Sequence, residues 1–214
     1  MTDSEIAPDG SPVAVFAALP AGHVPAMLHT QMLEADDVLE LGCGAGRYTR
    51  GLLDLGHPVV AVDESAAMLE QVDTRAERVQ ADVFALDLRR RFGTVVAASY
   101  LVNRWPPLLL ASCARHVAPD GAVIVQRYAP EWARAAEPDE ATVGPVTIRF
   151  EPVSCVDDRL VADVTYVLGA RSWTQHVEAD VLDDAEIARF ANYAGLAFDA
   201  VIDEFGEWVR LLPR

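Results

Sequence analysis

Lysine is absent from the 214-residue sequence, so all 17 basic side chains are arginines, and 33 acidic residues oppose them. The formal charge of -16 repels duplexes and anionic bilayers, which excludes nucleic acid and membrane surfaces as partners. The one basic run, Arg89-Arg90-Arg91, borders a turn signal and reads as a solvated strand entrance. Cysteine is scarce: Cys43, Cys113 and Cys155 are far apart and odd in number. Such spacing gives neither a zinc site nor a disulfide framework, so no metal centre is expected and a reducing, cytoplasmic setting is. Long apolar runs are missing too. Residues 13–28 are interrupted by Pro20, Gly22, His23 and Pro25, and the opening MTDSEIAPDG is acidic, so neither a membrane span nor a secretory signal is expected.

What is present is a core-forming composition, 51% hydrophobic and 23% charged, enough for one α/β domain that folds alone. Short β-branched runs at 37–41, 59–62, 78–81, 94–98 and 122–126 alternate with helical stretches at 48–55, 66–72 and 108–117, the pattern of a parallel sheet with crossover helices. Residues 146–155, 160–168 and 172–179 then follow as three strand runs, an antiparallel meander that is a lid or a dimerisation surface. Asp183-Asp184 starts a helix closing at Gly195, and strands at 198–202 and 208–212 end the domain. The expected organisation is a helical cap over 1–35, a ligand-binding core over 36–127, the insert over 146–180 and the last helix and strands over 182–214. Residues 131–145, rich in Ala, Glu and Pro, read as a mobile loop over a site. The chain is a monomer or a homodimer on this reading.

The first strand runs into Gly42-Cys43-Gly44-Ala45-Gly46 and then a helix, an arrangement that lets backbone N–H groups approach a ligand closely. Dinucleotide folds use a similar turn, but here the third glycine comes one residue early, and Glu40 precedes the turn. A carboxylate there repels pyrophosphate and attracts an ammonium, which disfavours a nicotinamide oxidoreductase. Asp63, at the end of the second strand, is placed to accept from ribose hydroxyls, and Asp82, after the third, from an exocyclic adenine amine.

Residues 38–49, VLELGCGAGRYT, resemble motif I of the class I S-adenosylmethionine-dependent methyltransferases. VVAVDESAAML at 59–69 is similar to that family's ribose segment, Gln80-Ala81-Asp82-Val83 to its adenine segment, and CARHVAPDGAVIV at 113–125 to the helix and turn before its fifth strand. The resemblance implies a Rossmann-like α/β sandwich with a mostly parallel seven-stranded sheet, interrupted after its fifth strand by the meander. It implies S-adenosylmethionine as cofactor and S-adenosylhomocysteine as product. Glu40, Gly42, Cys43, Gly44 and Gly46 would line the methionine part, Asp63 and Glu64 the ribose, and Asp82, Val83 and Met68 the adenine. Ser99, Tyr100 and Leu101 would lie beside the departing methyl group. Cys43 is either a small filler or a nucleophile, and Met68 either touches the ring or fills the core.

Methyl transfer from a sulfonium needs positioning and desolvation more than a dedicated acid. The segment Ser99-Tyr100-Leu101-Val102-Asn103 lacks the D/N-P-P-Y/F pattern that family members use on nucleobase or amide nitrogens. The expected acceptor is a small molecule methylated at O, N or C; the alternative is a cofactor-binding protein without transfer activity. Phe16, Arg127, Tyr128 and Trp132 are candidates for the acceptor pocket. Arg127 would pair with an acceptor carboxylate or phosphate, or else with one of the chain's own acids. Tyr128 and Trp132 would stack on a planar acceptor or fill core. Tyr100 and His29 are the catalytic candidates, His29 as a general base, while His176 is expected to face solvent.

Overall fold

In a computed structural model, described for residues 5–32 and 36–214, alternation along the first strands sets the layers. From β1 (Val38–Leu41) and β2 (Val59–Asp63), Leu39, Leu41, Val60 and Val62 enter one apolar cluster while Val38, Val59 and Ala61 enter another. Successive side chains of a strand point to opposite faces, so this sheet is covered on both sides. Helices α5 (Pro106–His116) and α7 (Asp184–Tyr193) cover the first face with Leu109, Leu110 and Ile187. On the second lie α2 (Val24–His29) and α3 (Thr49–Asp54), through Leu28 and Leu52. A capping box between Asp183 and Glu186 fixes the start of α7.

The main sheet also contains β3 (Glu77–Gln80), β4 (Phe92–Ala97), β5 (Val117–Gln126), β10 (Leu196–Val201) and β11 (Trp208–Pro213), in the order β10-β11-β5-β4-β1-β2-β3. Strands β1 to β5 pair in parallel, whereas β11 runs antiparallel to both β5 and β10. The seven-stranded, mostly parallel α/β sheet expected from the sequence is therefore present, with β1 and β4 adjacent at its middle. The carboxyl ends of β1 and β2 on one side and β4 and β5 on the other meet where the strand order reverses, the place where open α/β sheets bind ligands.

A second sheet, β6 (Asp139–Val143), β7 (Val146–Val156), β8 (Arg159–Leu168) and β9 (Arg171–Asp180), is antiparallel and has four strands. This corrects two expectations: the meander has four strands and not three, and residues 131–145 are not a structureless loop. They carry α6 (Pro130–Arg134) and β6. As an edge strand with four of its five residues exposed, β6 has no apolar alternation to read. Helix α1 (Val13–Ala18) joins the two sheets: Val15, and Leu19 just past its end, pack against Val146, Val164, Tyr166 and Trp173 of the second sheet. Asn103, fully buried, completes the joint by donating to Asp180 O (2.7 Å) and accepting from Tyr128 N (3.1 Å).

The pairing of β4 with β5 shifts register between Phe92 and Thr94, and Gly121 sits at that crossing. A Cβ there would lie 2.4 Å from the carbonyl oxygen of Gly93, a backbone atom that no side-chain rotation moves. Gly121→Ala should lower stability by about 1–3 kcal/mol, read from the denaturant midpoint at unchanged slope. An unshifted midpoint would show that the crossing tolerates a methyl group.

Candidate active site

The turn leaving β1 is stitched to the end of β2. Gly42, Gly44 and Gly46 have φ of 67°, 54° and 76°, a region where a Cβ is penalised. Cys43 N donates to Val62 O (2.9 Å) and Gly44 N to Asp63 Oδ2 (2.8 Å), while Asp63 Oδ1 accepts from Ser65 N (2.9 Å). Burial pushes the Asp63 carboxyl up and these two N–H donors pull it back. Each oxygen still has a lone pair for a ligand hydroxyl. The Cys43 thiol is buried and pushed well up by burial and by the charges of Glu40 and Asp63, which favours a space-filling role over a nucleophilic one.

Glu40 is a buried carboxyl. It is 1% exposed, and burial raises its carboxyl to about 7 despite the 2.5 Å hydrogen bond from Thr49 Oγ1, with Asp63 adding to the rise. Among the described residues no guanidinium pairs with it. A buried carboxylate without a counter-ion is costly, and a ligand ammonium is the complement that this position lacks.

On the other side of the reversal, Ser99 and Tyr100 follow β4 with φ of 54° and 60°, left-handed values that cost non-glycine residues roughly 1–2 kcal/mol each. Gln126 holds this turn: its Oε1 accepts from Ser99 N (3.0 Å) and its Nε2 donates to Glu207 Oε2 (3.0 Å). The Tyr100 ring stacks on Tyr128 at 4.0 Å and 6°, Tyr128 stacks on Trp132 at 5.9 Å, and Trp132 meets Phe150 at 5.0 Å. Burial raises the hydroxyls of Tyr100 and Tyr128, and the charge of Glu207 adds to both. Burial also raises Glu207 itself, Gln126 opposing and Asp203 adding.

These groups line one cleft of about 1650 Å³, lying between the strand ends and the second sheet. It brings together Glu40, Gly42, Cys43, Gly44, Asp63 and Glu64, and on its far wall Met68, Asp82 and Val83. Asp82 is exposed and accepts from Phe84 N (2.8 Å), and Met68 is packed with Ala7 and Val13. Ser99, Tyr100, Leu101, Phe16, Tyr128 and Trp132 complete the set. Gly46 lies behind the lining, where a Cβ would meet Val72 Cα at 3.2 Å. Exposed His176 pairs with Asp163 at 2.7 Å and borders the cleft at its rim. Gln126, Glu207 and Tyr166 were not singled out from sequence. The one signal for Gln126 was a polar residue ending the apolar run of β5.

Two expectations are corrected. His29 does not reach the cleft: its Nδ1 lies 2.8 Å from His57 Nε2, and His57 Nδ1 lies 2.9 Å from Asp36 O. His57 and Asp36 precede β2 and β1 at the amino end of the sheet, opposite the cleft, so His29 has no substrate proton within reach. Arg127, 3% exposed, does not meet an acceptor either. Its guanidinium donates to Gly206 O (3.0 Å), Leu182 O (3.0 Å) and Asp184 Oδ1 (2.5 Å), and its backbone N–H to Glu207 O (2.8 Å). Arg127 is a bracket between β5, α7 and the segment before β11.

The comparisons agree with this geometry. Residues 38–121 match the family described as Methyltransferase domain. The chain is 30% identical over 207 residues to the cypemycin N-terminal methyltransferase of a Streptomyces species, covering 89% of this chain and 82% of that protein. Its fold resembles an S-adenosylmethionine-dependent methyltransferase of Clostridium acetobutylicum (TM-score 0.71, 16% identity, 89% of each chain). It likewise resembles the sugar N-methyltransferase KedS8 of a Streptoalloteichus species (TM-score 0.68, 18% identity, 93% of this chain and 88% of that one). The chain belongs to the class I S-adenosylmethionine-dependent methyltransferases. It is an enzyme, and S-adenosylmethionine is its methyl donor.

The raised Glu40 carboxyl makes the ligand-free stability depend on pH. Between about 4.5 and 7 the folded state holds a proton that the unfolded state releases, so stability falls as pH rises through that window, by about 3 kcal/mol in all. Glu40→Gln, which keeps an acceptor for Thr49, should flatten this part of the profile and be the more stable protein above pH 7. Parallel profiles for the two proteins in urea melts would contradict it.

Proposed function

We propose that the enzyme transfers methyl groups to a small molecule, with the strand-end residues holding the donor and the aromatic wall holding the acceptor. The cleft volume carries this reading: about 1650 Å³ exceeds the roughly 300–1,000 Å³ of a single small-ligand pocket, leaving space for a second ligand beside the donor. The relatives' names, one acting on the cypemycin N-terminus and one on a sugar nitrogen, support a natural-product acceptor of specialised metabolism. No helix among the described residues is long and apolar enough to cross a membrane, and the acidic charge of -16 opposes a nucleic acid acceptor.

The residues fit the donor. S-adenosylmethionine supplies a methyl group on a sulfonium, an electrophile that needs no further activation. Glu40 complements its ammonium, with the backbone of Gly42, Cys43 and Gly44 against the methionine part and Gly46 allowing the turn to close. Asp63 accepts from the ribose hydroxyls with Glu64 beside it, and Asp82, Val83 and Met68 border the adenine. Ser99, Tyr100 and Leu101 face the reacting centre, where the raised Tyr100 hydroxyl stays protonated and acts as a donor. Tyr128, Trp132 and Phe16 bind and shield the acceptor. Residues 146–180, carried on α1, form the lid of the single 1–214 domain, of whose cap residues 1–4 and 33–35 lie outside the described set. The free thiols of Cys43, Cys113 and Cys155 support a reducing cytoplasmic setting.

Two experiments test this. Asp63→Ala should weaken S-adenosylhomocysteine about ten- to a hundredfold, since charge-assisted hydrogen bonds contribute roughly 1.5–3 kcal/mol each. Its thermal midpoint should fall by a few degrees, because Gly44 N and Ser65 N lose their acceptor. Equal affinities by calorimetry would remove the ribose assignment. In a cell extract supplied with methyl-labelled donor, label should enter low-mass products; label confined to protein or nucleic acid would overturn the small-molecule reading.

A further inference from the structure

We propose that Glu207, with the tyrosine rings around it, is the acceptor subsite for a cationic amine, so that the methylated atom is nitrogen. The inference rests on the placement of Ser99, Tyr100 and Leu101 at the reacting centre, because Gln126 ties Glu207 to that turn.

The groups around Glu207 fix its position, and none among the described residues neutralises it. Arg127 holds the backbone at Gly206 O and Glu207 O (3.0 and 2.8 Å), and Asp203 Oδ1 accepts from Trp208 N (2.9 Å) to close the turn. Among the described residues neither of two guanidiniums, those of Arg127 and the cleft-lining Arg47, pairs with it. That of Arg127 is spent on Gly206 O, Leu182 O and Asp184, and Arg47 donates to Pro20 O (2.9 Å) and lies 4.9 Å from the Tyr48 ring centre. Asp203 adds a second negative charge facing Glu207.

The direction of the Gln126 amide follows from chemistry. Ser99 N is a donor, so the Gln126 atom facing it is the carbonyl oxygen, and the NH₂ group is left for Glu207. Glu207 therefore uses Oε2 on Gln126, no donor among the described residues bonds its other oxygen, and the residue lines the cleft. Its charge also acts on Tyr48, Tyr100 and Tyr128. Burial keeps these phenols protonated although the Arg47 charge opposes it at Tyr48 and Tyr100, so they offer π faces and oxygen acceptors. A half-buried carboxylate beside aromatic rings selects a cation over a neutral hydroxyl group.

An alkylammonium has no lone pair to attack with. One N–H proton passes to the Glu207 carboxylate, the N–H electron pair stays on nitrogen, and the neutral amine is left next to the Ser99–Leu101 turn. The burial that lifts the Glu207 carboxyl favours this transfer.

The test uses the wild-type enzyme saturated with S-adenosylhomocysteine and two probes of nearly the same shape, phenethylamine and 2-phenylethanol, titrated by calorimetry or ligand-observed NMR. Phenethylamine should bind at least about tenfold tighter than the alcohol. Glu207→Gln should abolish the difference, and Glu207→Asp should restore part of it. S-adenosylhomocysteine affinity, measured separately, should be unchanged in both variants. Equal binding of the two probes to wild type, no binding of phenethylamine, or a preference that survives Glu207→Gln would each overturn the amine subsite. Loss of S-adenosylhomocysteine binding in Asp63→Ala alongside any of these results would leave the donor site standing and reject the amine subsite alone.

Discussion

A parallel sheet buried on both faces is the constraint on which the rest of the molecule depends. With α2 and α3 on one side and α5 and α7 on the other, the strand interiors admit apolar side chains almost exclusively. Polar groups are pushed to the carboxyl ends, where Asp63, Ser99 and Gln126 lie within reach of one cleft. Glu40 is the exception, a charge held within the strand itself. Its burial raises the carboxyl to about 7 although Thr49 donates to it.

The two sides of the strand reversal are built differently. At the ends of β1 and β2 the backbone does the work: three glycines with positive φ form the turn, and Asp63 ties it down by accepting from Gly44 N as well as from Ser65 N. At the ends of β4 and β5, side chains do it, through an amide that links a strained turn to a carboxylate and through four rings in succession from Tyr100 to Phe150. The ladder spans the β4 turn, the β5 loop, α6 and β7, so the second sheet contributes to the wall as well as the roof.

Arg127 shows how position in sequence misleads about role. An arginine after the fifth strand reads either as a binder of an acceptor anion or as the partner of one of the chain's own acids, and the structure shows the second: it is sunk beneath the site and spends its guanidinium on two carbonyls and Asp184. Its contribution is to hold the backbone that carries Glu207. His29 errs in the opposite way: it belongs to the cap, but its helix runs from the cleft, at His23 and Val24, toward the amino end of the sheet, where His57 receives it.

The sequence by itself determined the parallel sheet, the order of its elements and the donor turn, because these rest on local periodicity and on a contiguous strand–glycine–helix segment whose chemistry is written in adjacent residues. It also assigned Tyr100, Tyr128 and Trp132 to one pocket, though not to a single stack. Only the tertiary structure decided that β6 is a strand, since an exposed edge takes its conformation from its neighbour β7 and not from its own pattern. Only it joined Gln126 to Glu207, 81 positions later in the chain. Contacts of that range have no local signature: they exist because β11 inserts antiparallel beside β5, and strand order is a property of the packed sheet, not of any window of residues.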